Sequence, residues 1–182
     1  MTNAPMIFTP DTSVLLLVDL QARLMPAIAE HQTVVANALR LARAARLLGI
    51  PVLGTEQNPE GLGPNVAEIR ELCARTLSKQ FFDATREAQW QEFLPAGRPD
   101  VVVAGCEAHV CVLQTVMGLR RTGTPVRLVR DAIGSRSTAN RDAALARAHS
   151  HGAEPITTEM VIFEWLETAE HPRFREALRL VK

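Results

Sequence analysis

The sequence predicts an α/β fold: a three-layer α/β/α sandwich with a mainly parallel, Rossmann-like sheet of about six strands. Short aliphatic runs that end at polar residues alternate along the chain with longer segments of helical periodicity, which is the mark of strand–helix–strand units. Right-handed crossovers between parallel strands then place helices on both faces of the sheet. The 182 residues, 47% apolar and 22% charged, suffice for one domain with a substantial core and fall short of two. No internal repeat, low-complexity tract or linker interrupts the chain. Residues 1–182 therefore read as a single domain.

The elements follow in order. Ser13 to Val18 ends in five consecutive aliphatic residues and leaves at Asp19, as a buried strand does. From about His31 to Leu48, a stripe of Ala38, Leu41, Ala45 and Leu48 marks a helix, capped by Gly49 and stopped before Pro51. Val52-Leu53 is a short second strand. Asn58, Pro59, Gly61, Gly63 and Pro64 make residues 56–64 a loop over the sheet's edge. Arg75 to Ser78 is the third strand, and Ala84 to Leu94 a helix closed by Pro95 and Gly97. Asp100 to Ala104 is the fourth strand, and Val112, Val116 and Leu119 give the next segment a helical face. Gly123 and Pro125 lead into a fifth strand, Val126 to Val129. An Ala-rich helix from Thr138 to His149, a short sixth strand at Pro155 to Thr157, and one or two further helices complete the chain.

Composition narrows the function. Lys plus Arg equals Asp plus Glu at 20 each, so a formal charge of zero gives no support to nucleic-acid or anionic-membrane partners. No apolar run approaches the roughly 20 residues that span a bilayer. The first ten residues lack the basic start and apolar core of a secretion signal. Cys73, Cys106 and Cys111 cannot all pair and lack metal-site spacing. No His pair is spaced as metal ligands either. A reduced, cytoplasmic setting without metal or cofactor is the expectation.

Asp19, Lys79 and Cys111 each lie at or just beyond the carboxyl end of a predicted strand, and in open parallel sheets such positions converge on one rim. Cys111 also sits at a strand-to-helix junction, where free N–H groups and the helix dipole are expected to lower its pKa. Brought together, the carboxylate would take the thiol proton and return it to a leaving group while sulfur attacks carbonyl carbon. The ammonium would organise the charge, and helix-start amides would hold the oxyanion. Gln21, two residues after Asp19, points the same way along an extended chain, so it is expected to orient the carboxylate or meet substrate. His109, two residues before Cys111, is a candidate to line the pocket or hydrogen-bond substrate, with a structural role as the alternative. Asp131 and Ser135 to Ser137, after the fifth strand, are candidates to line the rim or to bind a neighbouring subunit, and Cys106 is expected to be buried without a catalytic part.

Five segments recur in one order: L-L-L-V-D-L-Q ending at Gln21, S-K-Q-F-F from Ser78, and G-C-E-A-H-V-C-V ending at Val112, then V-R-D-A-I-G-S-R-S from Val129 and T-T-E-M-V-I-F-E from Thr157. In them the chain resembles the isochorismatase-like cysteine hydrolase superfamily. The run T-E-Q-N-P-E-G-L-G from Thr55 is similar to the isochorismatase-domain-containing branch. The resemblance implies an Asp-Lys-Cys triad on Asp19, Lys79 and Cys111, and a cis peptide between Cys106 and Glu107. It further implies oxyanion contacts from the amides of Glu107 and Cys111, a small-molecule substrate and a homo-oligomer. Nicotinamidases in this superfamily bind a metal through an Asp and a His where Gln57 and Pro59 stand here, so metal binding is not expected. The reaction implied is cleavage of an amide-like C–N bond through a thioester. The alternatives are vinyl-ether hydrolysis of the isochorismatase type, which needs Asp19 and Lys79 without the thiol, and a non-catalytic oligomeric scaffold.

Overall fold

The computed structural model describes residues 7–182, so the absence of a secretion signal, read from residues 1–10, falls for residues 1–6 outside the described residues. Six parallel strands form one sheet in the order β3-β2-β1-β4-β5-β6. They are β1 Ser13–Val18, β2 Val52–Gln57, β3 Arg75–Lys79, β4 Asp100–Gly105, β5 Val126–Ile133 and β6 Glu154–Ile156. The predicted three-layer architecture stands.

Alternation along the central strands builds the layers. Leu15, Leu17, Val102 and Ala104 join one core with α1 (His31–Leu47), α3 (Ala67–Leu72), α7 (Thr158–Leu166) and α8 (Phe174–Val181). Val14, Leu16, Val18, Val101 and Val103 point the opposite way. There they meet α4 (Trp90–Phe93), α5 (Leu113–Arg121) and α6 (Thr138–Ser150). Strands buried on both faces read as unbroken aliphatic runs, which is why β1 and β4 were legible. Among the described residues no helix is long and apolar enough to cross a membrane.

Three sequence-based boundaries need correction. β2 does not stop at Leu53; it continues through Gln57, wholly buried and paired with β3 from Arg75 to Lys79. Its polar end survives burial because each side chain is bonded: Thr55 to Asp19, Glu56 to the N–H of Asn65, and Gln57 to Lys79 and the carbonyl of Gln80. The loop therefore begins at Asn58, and its Pro59–Leu62 segment winds into a short helix, α2.

The helix expected over 84–94 is broken into a 3-10 turn, Ala84–Arg86, and the single turn of α4. Asp83 caps the first turn by accepting from the N–H and hydroxyl of Thr85. Glu87 is extended, and its carboxylate accepts the N–H groups of Gln80 and Phe81. β5 runs on to Ile133, past Asp131, which is not a rim residue. Its carboxylate accepts the N–H and hydroxyl of Thr158 and so holds the start of α7.

Candidate active site

The winding reverses between β1 and β4, and ligand crevices of open α/β sheets form beyond the strand ends at such a switch point. Asp19 directly follows β1, Gln57 and Lys79 end β2 and β3, and the Cys106–Cys111 segment follows β4. Four neighbouring strands thus deliver one group each to the same rim.

Lys79 lies between the others. Its Nζ stands 2.8 Å from Asp19 Oδ2 and donates to Gln57 Oε1 at 2.6 Å, with a longer contact of 3.5 Å to the carbonyl of Phe81. Of the ammonium's three protons, two have hydrogen-bond acceptors in Gln57 and Phe81, and Asp19 faces the group as an ion pair. Cys111 Sγ lies 3.7 Å from the same Gln57 oxygen. Asp19 is 0% exposed, Lys79 1% and Cys111 6%, so the cluster is almost sealed. Asp19 Oδ1 accepts the hydroxyl of Thr55 at 2.6 Å, whereas Oδ2 has the ion pair alone and accepts no oriented hydrogen bond.

The structure brings Asp19, Lys79 and Cys111 together, and it corrects the expected ionisation of the sulfur. Burial first, and the Asp19 charge second, push the Cys111 thiol up to about 12, with Lys79 offsetting only part of their effect. The junction position is outweighed because withdrawing a thiolate from water costs more than the start of a helix returns. The resting group is a neutral thiol.

That junction is a π-helical turn, Ala108–Val112, leading into α5. The N–H groups of Val110 and Val112 both turn back to the carbonyl of Glu107, and that of Ala108 to Gly134. The Glu107 N–H has no protein acceptor among the described residues, and the Cys111 N–H makes no bond to the carbonyls that precede the turn. The peptide bond between Cys106 and Glu107 is cis. The Glu107 carboxylate is committed elsewhere, accepting the backbone N–H and Nε of Arg136. Cys106 is fully buried and its thiol is pushed well above its ordinary range, chiefly by burial.

Two sequence-predicted residues stand differently. Gln21 neither orients Asp19 nor reaches the crevice. It is fully buried, with its Oε1 accepting the N–H of Gln57 and its Nε2 donating to the carbonyls of Gln57 and Gly63. The chain leaves β1 at Asp19 with a positive φ of 48°, so the extended geometry that would align Gln21 with Asp19 does not continue. His109 is half-buried with Nδ1 3.0 Å from Ser135 Oγ, and shares no hydrogen bond with Asp19, Lys79 or Cys111. It lines a cavity of about 450 Å³ along α5 with Arg86, Gln114, Arg121 and Arg147.

Sequence reasoning missed Thr55 and considered Gln57 only as a departure from a metal site. Extending β2 through Gln57 would have found both, because Thr55 and Gln57 then share one strand face. The same segment decides the question of a metal. Gln57 Oε1 is held by an ammonium and the Pro59 side chain has no ligand atom, so the side chains present do not fit a cation.

A doubly wound α/β protein with a carboxylate, an ammonium and a thiol gathered at its strand ends is the class that fold and site define. The chain belongs to the isochorismatase domain family, whose model matches residues 13–160. Isochorismatase domain-containing protein 2A of Mus musculus is 38% identical over 173 residues, 95% of this chain and 84% of the relative. The human isochorismatase domain-containing protein 2 gives the same identity and coverage. Among solved structures, the MAR1 ribonuclease of Caenorhabditis elegans matches with a TM-score of 0.91 at 34% identity, covering 96% of this chain and 92% of that one. YcaC of Pseudomonas aeruginosa has a TM-score of 0.90 at 24% identity over 98% of this chain and 93% of its own, a likeness of fold.

Proposed function

We propose that the protein is a small-molecule cysteine hydrolase that cleaves an amide-like C–N bond through Cys111. The observation that carries the reading is the buried contact set joining Asp19, Lys79 and the Cys111 sulfur. Membership of the isochorismatase domain family supports a hydrolase.

The thiol starts neutral. As sulfur attacks the carbonyl carbon, its proton passes to Asp19, whose Oδ2 has no competing hydrogen-bond donor beyond its ion pair with Lys79. The carbonyl π electrons move onto oxygen, and the N–H groups of Glu107 and Cys111 hold that oxyanion. Collapse expels the amine, which takes the proton from Asp19 and leaves a thioester. Water then gives a proton to Asp19 and attacks the thioester. The second collapse releases the acid, and the departing sulfur recovers the proton. Lys79 holds its charge beside both ionising groups throughout.

The name ribonuclease belongs to the C. elegans protein. Here the zero formal charge and the nearly sealed cluster favour a small molecule over a polynucleotide. Met160 and Phe163, large apolar residues exposed beside Ile7, support self-association.

The test is a screen of small amides and ureido acids for ammonia release, repeated with Cys111→Ala. Loss of turnover in the variant, with an acyl adduct on Cys111 of the parent protein detected by mass spectrometry, is the expected result. Turnover that survives the substitution would overturn the covalent step. If isochorismate were the substrate still turned over, the ether-hydrolase alternative would replace it.

A further inference from the structure

We infer that Gln57 is a positioning residue of this site: its carboxamide oxygen holds the Lys79 ammonium against the Cys111 sulfur and serves as the resting acceptor for the thiol hydrogen. The inference deepens the cysteine-hydrolase reading and rests on it for its catalytic meaning.

One oxygen makes both contacts, 2.6 Å to Lys79 Nζ and 3.7 Å to Cys111 Sγ. The amide is fixed from every side. Nε2 donates to the carbonyl of Gln80 at 2.8 Å, which sets the orientation of the group so that oxygen faces the amine. The backbone of the same residue is gripped at both polar atoms by Gln21, and its strand position is paired with Lys79. A side chain with so little freedom holds its partner at little further entropic cost.

The oxygen is also neutral, and that matters for the sulfur. Asp19 and Lys79 act on the sulfur in opposite directions, and the effect of Asp19 is the larger. A second carboxylate at position 57 would stand within hydrogen-bonding range of the sulfur and oppose its ionisation. An apolar side chain there would release the ammonium from its 2.6 Å bond and weaken the one charge that favours thiolate.

The experiment is alkylation of the full-length protein with iodoacetamide from neutral to alkaline pH, with Cys111 and Cys73 quantified separately by peptide mass spectrometry. Gln57→Glu is expected to slow Cys111 by about tenfold at neutral pH and to move its profile to higher pH, one pKa unit being a factor of ten in thiolate. Cys73, half-buried against the core on the opposite face of the sheet from Cys111, should react within about twofold of its parent rate. Should Gln57→Glu unfold, seen as fast Cys73, then Gln57→Met decides, with Cys111 slowed by about threefold or more. A purely packing role predicts the reverse, because loosening the site exposes a sulfur that is now 6% accessible. Unchanged or faster Cys111 alkylation in the folded variants overturns the inference. The cysteine-hydrolase reading fails separately, through turnover retained by Cys111→Ala.

Discussion

Thr55 donates its hydroxyl to Oδ1 of Asp19 at 2.6 Å, and neither residue is accessible to solvent. The bond joins the fourth residue of β2 to the residue that leaves β1, and the Asp19 N–H returns to the Thr55 carbonyl at 3.2 Å. Asp19 has a positive φ, which an L-residue adopts only when neighbours hold it there. Thr55→Val keeps the shape and removes the donor. A hydrogen bond to a charged group contributes about 1.5–3 kcal/mol, so the variant should be less stable to urea by that amount. Thr55→Ser, which keeps the hydroxyl, should lose much less. A Thr55→Val protein as stable as the parent would show that the bond contributes nothing.

The three thiols set an alkaline limit. Burial, with a smaller part from Glu56, pushes Cys73 up to about 11; burial and then Asp19 push Cys111 up to about 12, and Cys106 is raised as well. Unfolded thiols release their protons near their ordinary value of 9.0, while the folded ones retain theirs. The folded state then binds more protons, so stability must fall as pH rises. This contribution is complete below pH 9 and is lost between pH 9 and 11 for Cys73, and up to about 12 for Cys111. Urea midpoints measured across that window should decline, and Cys73→Ala should flatten the decline. A midpoint independent of pH up to 11 would contradict the buried state of these thiols.

The strands that carry the site were legible where burial on both faces produces aliphatic runs, as in β1 and β4. β2 was not, because its second half is polar and buried at once. Glu56 and Gln57 read as loop residues, and Thr55 as lying beyond the strand's end, until their partners are known, and those partners lie from nine to thirty-six residues away. Asp19, Lys79 and Cys111 were legible because strand ends converge in this architecture whatever the loops do. The ionisation of Cys111 was not, since the turn's effect can be read locally while its burial and the proximity of Asp19 depend on the whole fold. Gln21 was misjudged for a related reason: a positive φ at Asp19 cannot be read from an aspartate in a strand-like run.

Gln21 supports a prediction of its own. Its amide answers three backbone groups, with bonds of 2.9 and 3.0 Å to Gln57 and 2.6 Å to the Gly63 carbonyl. Gln21→Leu would leave them buried without a partner, at about 1–3 kcal/mol for each group left unmet. Gln21→Glu should be at least as damaging, because a carboxylate would face the two carbonyls that now accept from Nε2. Both variants should show a lower urea midpoint and reduced turnover of any amide substrate found. Gln21→Glu behaving like the parent protein would mean the loop after β2 re-forms without this clamp.

Gly105 closes β4 just before the cis peptide, with φ at +125°. A Cβ at this position would lie 2.0 Å from the carbonyl oxygen of Val18 and 2.7 Å from its nitrogen. Both are backbone atoms of the neighbouring central strand, so no rotamer change relieves the overlap. Gly97 offers the control: φ is +77° and no atom lies within 4 Å of the place a Cβ would take. Gly97→Ala therefore carries backbone strain alone, about 1–2 kcal/mol, and should fold with a modestly lower melting temperature. Gly105→Ala carries the strain and the clash, and separating β1 from β4 there would also pull Asp19 away from the Cys111 turn. It is expected to be insoluble, or folded without Cys111-dependent turnover. A soluble Gly105→Ala protein with the melting temperature of Gly97→Ala would show that the β1–β4 contact at Val18 yields without disturbing the site.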